Sequence, residues 1–153
     1  MRNKGDKLKY IGLNIRRDEY EPYQELIKEY GLGVEGTFVM TDNEPKIYVD
    51  GKTTIHGPYL DLFPGIGDIN IQEIYLNRLV EAYEKAKSVN ANGMVCHAHY
   101  LEKAFFPEIW LENSAVLFLK LLDHIDSKFT IFIENVYEAA TEMIKQLIIK
   151  SER

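Results

Sequence analysis

FTIFIENV, residues Phe129–Val136, is the stretch that decides the fold. It is nearly continuous in apolar residues until Glu134, which is typical of a parallel strand covered on both faces. Parallel strands need long crossover connections, and these are usually helices. The stretch therefore predicts an α/β protein in which strands and helices alternate.

The same alternation runs through the rest of the chain. Short β-branched and apolar runs predict about five strands, at Tyr10–Ile15, Val34–Met40, Thr53–Tyr59, Met94–His99 and Phe129–Val136. Helical periodicity between and after them predicts helices, at Pro22–Tyr30, Ile71–Val89, Ile109–His124 and Ala139–Lys150. Such a chain forms either an open doubly wound sheet or part of a barrel, and periodicity alone does not choose between the two.

Two of the predicted helices carry an apolar stripe that we expect to be buried. The stripe of the second helix consists of Ile71, Ile74, Tyr75, Leu79, Ala82, Tyr83, Ala86 and Val89. The stripe of the third helix consists of Leu111, Ala115, Phe118 and Leu122.

Length and composition describe one globular domain. The 153 residues are 46% apolar and 27% charged, and we expect a single domain over residues 10–153. Residues 1–9 form a basic leader that we expect to be disordered. No apolar run approaches the ~20 residues that cross a membrane, and the leader lacks the apolar core of a secretory signal. We therefore expect no membrane partner.

Cysteine content and charge narrow the setting further. The one cysteine, Cys96, rules out an internal disulfide and favours a cytoplasmic location. We expect it to be a packed thiol, because it has apolar neighbours and alternates away from His97. The net charge is −6 and no run of Lys and Arg is dense, which argues against a nucleic-acid partner.

Polar side chains end three successive predicted strands. His56 ends the third strand, His97 lies near the end of the fourth and Glu134 lies near the end of the fifth. The carboxyl ends of parallel strands lie on one side of a sheet, where α/β proteins build their sites. Two imidazoles and a carboxylate that converge there suit a divalent metal such as Zn, Mn, Co or Mg. Each residue alone could equally be a strand-end polar group bonded to backbone.

The order of several segments carries a family resemblance. IHGPYLDLFPG, a helix, MVCHAHY, PEIWLENS and IFIENVYE follow one another along the chain. This order resembles the xylose isomerase-like TIM barrels, the superfamily of sugar phosphate isomerases, epimerases and endonuclease IV. The likeness runs from about Ile11 to Val136, and its most specific parts are His-Gly-Pro-Tyr, the histidine that closes strand four, and Glu-Asn after strand five.

The resemblance implies roles for particular residues. His56, His97 and Glu134 would be metal ligands, and Glu134 would also be the catalytic base. Tyr59, His99 and Asn135 are expected to contact the substrate. His99 stands where relatives usually have a small residue; it could be an extra ligand, but a group behind the ligands or a solvated side chain is favoured.

The resemblance also implies a fold and a reaction. The fold would be a partial TIM barrel, because the family barrel has eight strands and this chain has about five. In the full-length family a divalent metal supports proton transfer on a sugar or sugar phosphate through an enediolate. Endonuclease IV-like hydrolysis of a phosphodiester is less favoured, because the chain is acidic.

The missing strands leave two alternatives open. If active, the chain would be an isomerase or epimerase. Alternatively, it is a non-catalytic, truncated half-barrel that acts as a metal-binding or assembly subunit. Open barrel edges predict self-association in either case.

Overall fold

The computed structural model of the protein describes residues 12–15, 20–37, 53–59, 62–136 and 141–151. In chain order its elements are β1 (Gly12–Ile15), α1 (Tyr20–Tyr30), β2 (Gly33–Thr37), β3 (Thr53–His56), α2 (Ile69–Ser88), β4 (Gly93–His97), α3 (Pro107–His124), β5 (Thr130–Glu134) and α4 (Thr141–Ser151). The predicted leader, residues 1–9, lies outside the described residues, as do the outer residues of several predicted elements.

The five described strands form one parallel sheet in the order β1-β2-β3-β4-β5. A doubly wound sheet reverses its strand order at a switch point, so that helices cover both faces. This order has no reversal, and right-handed crossovers then place the helices on one face, as in a barrel. The α/β fold with parallel strands is thus confirmed, and the choice that periodicity left open falls on the barrel.

Local signals in the sequence explain where the two central helices begin. Asp68 caps α2, because its side chain accepts hydrogen bonds from the backbone N–H groups of Asn70 and Ile71 at 2.9 and 3.3 Å. Pro107 opens α3, where its missing N–H costs no helical hydrogen bond. Both helices therefore begin just after the loops that follow strands β3 and β4.

The core lies between the sheet and its helices. Met94 and Cys96, on one face of β4, are fully buried against side chains of α2, α3 and α4. The largest of these partners are Tyr75, Leu79, Trp110, Leu117, Leu121 and Leu147. The prediction that Cys96 is a packed thiol is confirmed, since its exposed fraction is 0%.

Two predictions about burial are wrong. Ile71 and Ile74 are 42% and 57% exposed, and the buried polar residue of the first turns of α2 is Gln72. Strand β5 is covered on one face only, since Phe132 is 43% exposed while Ile131 and Ile133 pack on the core. The reason is that Phe132 lies on the face of β5 opposite the helices, and β5 is an edge of the described sheet with a neighbour on one side only.

No helix in the described part of the chain combines the length and the apolar character that crossing a membrane requires.

Candidate metal centre

The carboxyl ends of strands β3, β4 and β5 bring three predicted ligands together. His97 on β4 lies directly opposite Glu134 on β5, and His56 on β3 is paired with Val95. Side chains alternate between the faces of a strand, so Val95 and His97 share the face opposite the buried Met94 and Cys96. The site therefore lies on the inner face of the sheet, away from the helices.

Three atoms converge at this point. The Nε2 atoms of His56 and His97 are 3.0 Å apart, and they lie 3.3 and 2.9 Å from Oε2 of Glu134. The two imidazoles are nearly buried, whereas the Glu134 side chain is 48% exposed. Solvent, or a molecule from solvent, can thus reach the cluster from the side of the carboxylate.

Hydrogen bonds on the far side of each ring show where its proton lies. Nδ1 of His56 is 3.0 Å from the backbone oxygen of Gly57, which can only accept. His56 therefore donates from Nδ1, and its Nε2 carries a lone pair when the ring is neutral.

For His97, the position of the ring proton is set by a second histidine, His99. Nδ1 of His99 lies 2.6 Å from the backbone oxygen of Leu62, so His99 donates from Nδ1 and its Nε2 can accept. That Nε2 is 3.0 Å from Nδ1 of His97. His97 accordingly donates from Nδ1 to His99, and its own Nε2 is left with a lone pair that faces His56 and Glu134.

Three acceptor atoms therefore face one another when both imidazoles are neutral. Such an arrangement is repulsive unless a cation or an extra proton lies among the atoms. Ligands at 2.0–2.1 Å from a tetrahedral zinc ion are about 3.3 Å apart, close to the three separations found here. The donor set of two imidazole nitrogens and one carboxylate oxygen thus fits a divalent metal ion such as Zn²⁺.

The electrostatic environment of His97 favours its neutral form. Burial lowers the pKa of His97, and repulsion from His56 lowers it further, against the opposing effect of the hydrogen bond to Glu134. The neutral form is the one that binds a metal.

Cys96 is not available as a ligand or nucleophile. Burial raises the pKa of its thiol to about 12.

The three predicted substrate contacts lie in different surroundings. Tyr59 is partly exposed and its ring centroid is 4.9 Å from that of His56 and 5.0 Å from that of His97, so it forms a wall of the site. Asn135 follows Glu134 and is exposed. His99 is 4% exposed, with its ring between Leu62 and His97. Their contact with a substrate stays a prediction.

The loop between β3 and α2 is held by side-chain amides. Gln72 donates hydrogen bonds to the backbone oxygens of Pro64 and Ile66, and Asn113 donates to that of Gly65. Sequence reasoning missed this loop's role in the site, because a backbone oxygen such as that of Leu62 can belong to any residue type. Gln72, which binds this loop, stands in the sequence among other polar residues of α2 and is distinguished only by its burial in the structure.

Solved structures resemble this chain at the level of fold. The TTHB071 protein from Thermus thermophilus, a structure described as soaked with ZnCl2, matches 92% of this chain with a TM-score of 0.71 and 18% identity. The fold is a partial TIM barrel. A D-tagatose 3-epimerase-like protein matches 92% of the chain with a TM-score of 0.56 and 14% identity.

Coverage in the other direction is smaller. The chain spans 62% of the first of these structures and 52% of the second. No family model and no curated protein matches the chain. The comparisons thus support the predicted partial TIM barrel as the fold.

Proposed function

We propose that the chain binds a divalent metal ion through His56, His97 and Glu134, and that this centre serves a sugar isomerase or epimerase reaction. The observation that carries the metal centre is the convergence of two imidazole Nε2 atoms and one carboxylate oxygen at 2.9–3.3 Å. The backbone oxygen of Gly57 and the ring of His99 hold both imidazoles with their lone pairs toward that point. Two imidazole ligands favour Zn²⁺ or Co²⁺ over Mn²⁺ and Mg²⁺.

The proposed reaction is a proton transfer next to a sugar carbonyl. A bound divalent ion supplies a Lewis acid for the carbonyl and hydroxyl oxygens of the sugar, at a position that three protein ligands leave open. Glu134 is half exposed, so its carboxylate can take the proton from the hydroxyl-bearing carbon beside the carbonyl and return it to the former carbonyl carbon, while the hydroxyl proton passes to the carbonyl oxygen; this completes an isomerisation. In an epimerisation a second acid would instead return a proton to the opposite face of the same carbon. Tyr59 closes one side of the site beside the two imidazoles.

Support for the sugar as substrate is indirect. One of the similar structures is named a D-tagatose 3-epimerase-like protein, and the other is described as soaked with ZnCl2. A phosphodiester in DNA is less favoured as a substrate, because the chain has a net charge of −6.

Metal binding is tested first, with the four histidines of the chain as an internal comparison. The chelator-stripped protein is titrated with Zn²⁺ against a competing chelator, and native mass spectrometry counts the bound ions. We expect one bound ion per protein chain. His56→Ala and His97→Ala should weaken binding by more than about 100-fold, beyond the 10–100-fold typical of losing an outer partner. His124→Ala, at the exposed end of α3, is the matched control and should bind as the parent does.

The reaction is tested separately. The metal-loaded protein is incubated in D₂O with a panel of ketoses and ketose phosphates, and proton NMR follows deuterium entering the carbon beside the carbonyl. Glu134→Gln should abolish this exchange while the sugar remains intact.

The zinc titration has its own refuting outcome. If the His56, His97 and Glu134 variants all bind zinc like the parent, the proposed metal centre is refuted.

A second candidate function is that of a metal-binding subunit without activity of its own. The inner face of the sheet favours it, because Phe132 is 43% exposed beside the site and the described strands β1 and β5 each have one neighbour. Zinc binding without deuterium exchange, in a dimer or larger assembly, would support this function. A monomer that catalyses exchange would exclude it.

A further inference from the structure

We propose that His99 is a positioning residue that holds the proton of His97 on Nδ1 and so keeps Nε2 of His97 free for a metal ion. The proposal rests on the metal centre proposed above. It gives His99 a task distinct from those of the three ligands, because its side chain acts through His97.

The first argument is the direction of the hydrogen bonds. The backbone oxygen of Leu62 accepts only, so His99 spends its own N–H there and turns a lone pair toward His97. His97 Nδ1 lies 3.0 Å from that lone pair's nitrogen. Without His99, the proton of His97 could lie on Nε2 instead, where Glu134 would accept a hydrogen bond at 2.9 Å. Nε2 would then have no lone pair for a metal ion.

The second argument is that His99 is held in an unusual backbone conformation. Its φ is 51°, in the left-handed region that only a few per cent of residues other than Gly adopt, with Asn, Asp and His the most frequent among them. The residue follows the end of β4 by two positions, and this bend turns its ring back under His97. Strain of this kind persists where the surroundings hold it, and it is concentrated at functional sites.

The third argument is that the ring cannot turn away. His99 is 4% exposed, and the ring of Phe63 packs on it with centroids 5.3 Å apart. The ring centroid of His97 is 5.0 Å away on another side. A solvated histidine would reorient freely, whereas this one is fixed by a backbone oxygen, an imidazole and an aromatic ring.

The position of the His97 proton can be measured without any variant or metal. Long-range ¹H–¹⁵N correlation spectra distinguish the two tautomers of each neutral histidine in the chelator-stripped parent. We expect His97 to carry its proton on Nδ1. A His97 that carries no proton on Nδ1 in the parent would overturn the proposal directly, whether or not zinc binds.

Two amide substitutions then separate positioning from packing. His99→Asn tolerates the left-handed backbone and retains a donor near Leu62, but its side chain is too short to accept from His97. His99→Gln is less favoured in this left-handed backbone, but its side chain reaches farther and offers an amide oxygen to His97. We expect His97 in His99→Asn to shift its proton to Nε2 and zinc to bind about 10–100-fold more weakly, with binding largely restored in His99→Gln.

Failure of this proposal is distinguishable from failure of the metal centre. A parent that binds no zinc would refute the centre. A parent that binds zinc, with His99→Asn equal to it in affinity and in the His97 tautomer, would refute the role of His99 alone. Equal losses in the Asn and Gln variants, with His97 unchanged in tautomer, would show that His99 only packs and would also overturn the proposal.

Discussion

Replacement of Gly65 by alanine should destabilise the loop that follows β3. A Cβ at this position would overlap Cδ1 of Trp110 and lie 2.7 Å from its Cγ and 2.8 Å from its Nε1. Carbon atoms in contact prefer about 3.5–4.0 Å, so the loop or the indole must move by about 1.5–2 Å. Trp110 cannot yield easily, because it is fully buried and its Nε1 donates to the backbone oxygen of Ala98 at 3.3 Å.

The expected cost follows from this overlap. Overpacking of a dense core costs about 1–3 kcal/mol, and about 2 kcal/mol lowers the Tm of a protein of this size by about 4–8 °C. Ala98 lies between His97 and His99, so a displaced indole should also disturb the candidate metal centre. Zinc affinity should therefore fall together with the Tm.

The assay has a built-in probe and a matched control. Trp110 is the only tryptophan of the chain, so its fluorescence reports any displacement during thermal unfolding. Gly67→Ala is the control, since the nearest atom to its added Cβ would be Nδ2 of Asn113 at 3.8 Å. That variant should be unchanged or more stable by about 0.4–1 kcal/mol. Equal Tm values and identical tryptophan emission in the two variants would refute the reasoning.

Three further predictions concern buried groups. The pKa of His97 is lowered in the native state, so the unfolded state binds more protons, and the metal-free protein should lose stability as the pH falls below about 6.5. Urea unfolding between pH 5 and 8 measures this loss, and the free energy of unfolding of His97→Ala should depend less on pH. The hydroxyl of Tyr75 is buried without a hydrogen-bond partner among the described residues, so Tyr75→Phe should be neutral or stabilising by up to about 1–3 kcal/mol, and a lower Tm would contradict this. Cys96 is fully buried and its pKa is raised to about 12. A thiol reagent should therefore label it only at the rate at which the protein unfolds. Rapid labelling of the native protein would contradict this packing.

Much of the fold could be predicted from residue patterns. The five strands and four helices of the structure all overlap predicted ones, because apolar runs and helical spacing are local properties of the sequence. The exposed face of β5 could not be predicted, since FTIFIENV has the composition of a strand with two covered faces. Exposure of Phe132 depends on what else packs there, which the strand itself does not encode.

The candidate site was predictable in part. Strand ends placed His56, His97 and Glu134 on one side of the sheet, and the structure brings their side chains together. The surroundings of His99 were not predictable, because they depend on a left-handed backbone and on the backbone oxygen of Leu62. Exposure of Ile71 and Ile74 shows a similar limit, since their spacing fits the helix stripe but the buried face of α2 begins with Gln72 and Tyr75, which leaves the two isoleucines beside it.

The placement of Glu134 on an edge strand has a consequence for the exchange of any bound ion with solvent. Strand β5 pairs only with β4 among the described strands, so it can detach locally while the rest of the sheet remains intact. Such an opening would withdraw one ligand and leave the two imidazoles in place. The residence time of an ion would then depend on how often this single strand opens, and amide hydrogen exchange in β5 would measure that opening.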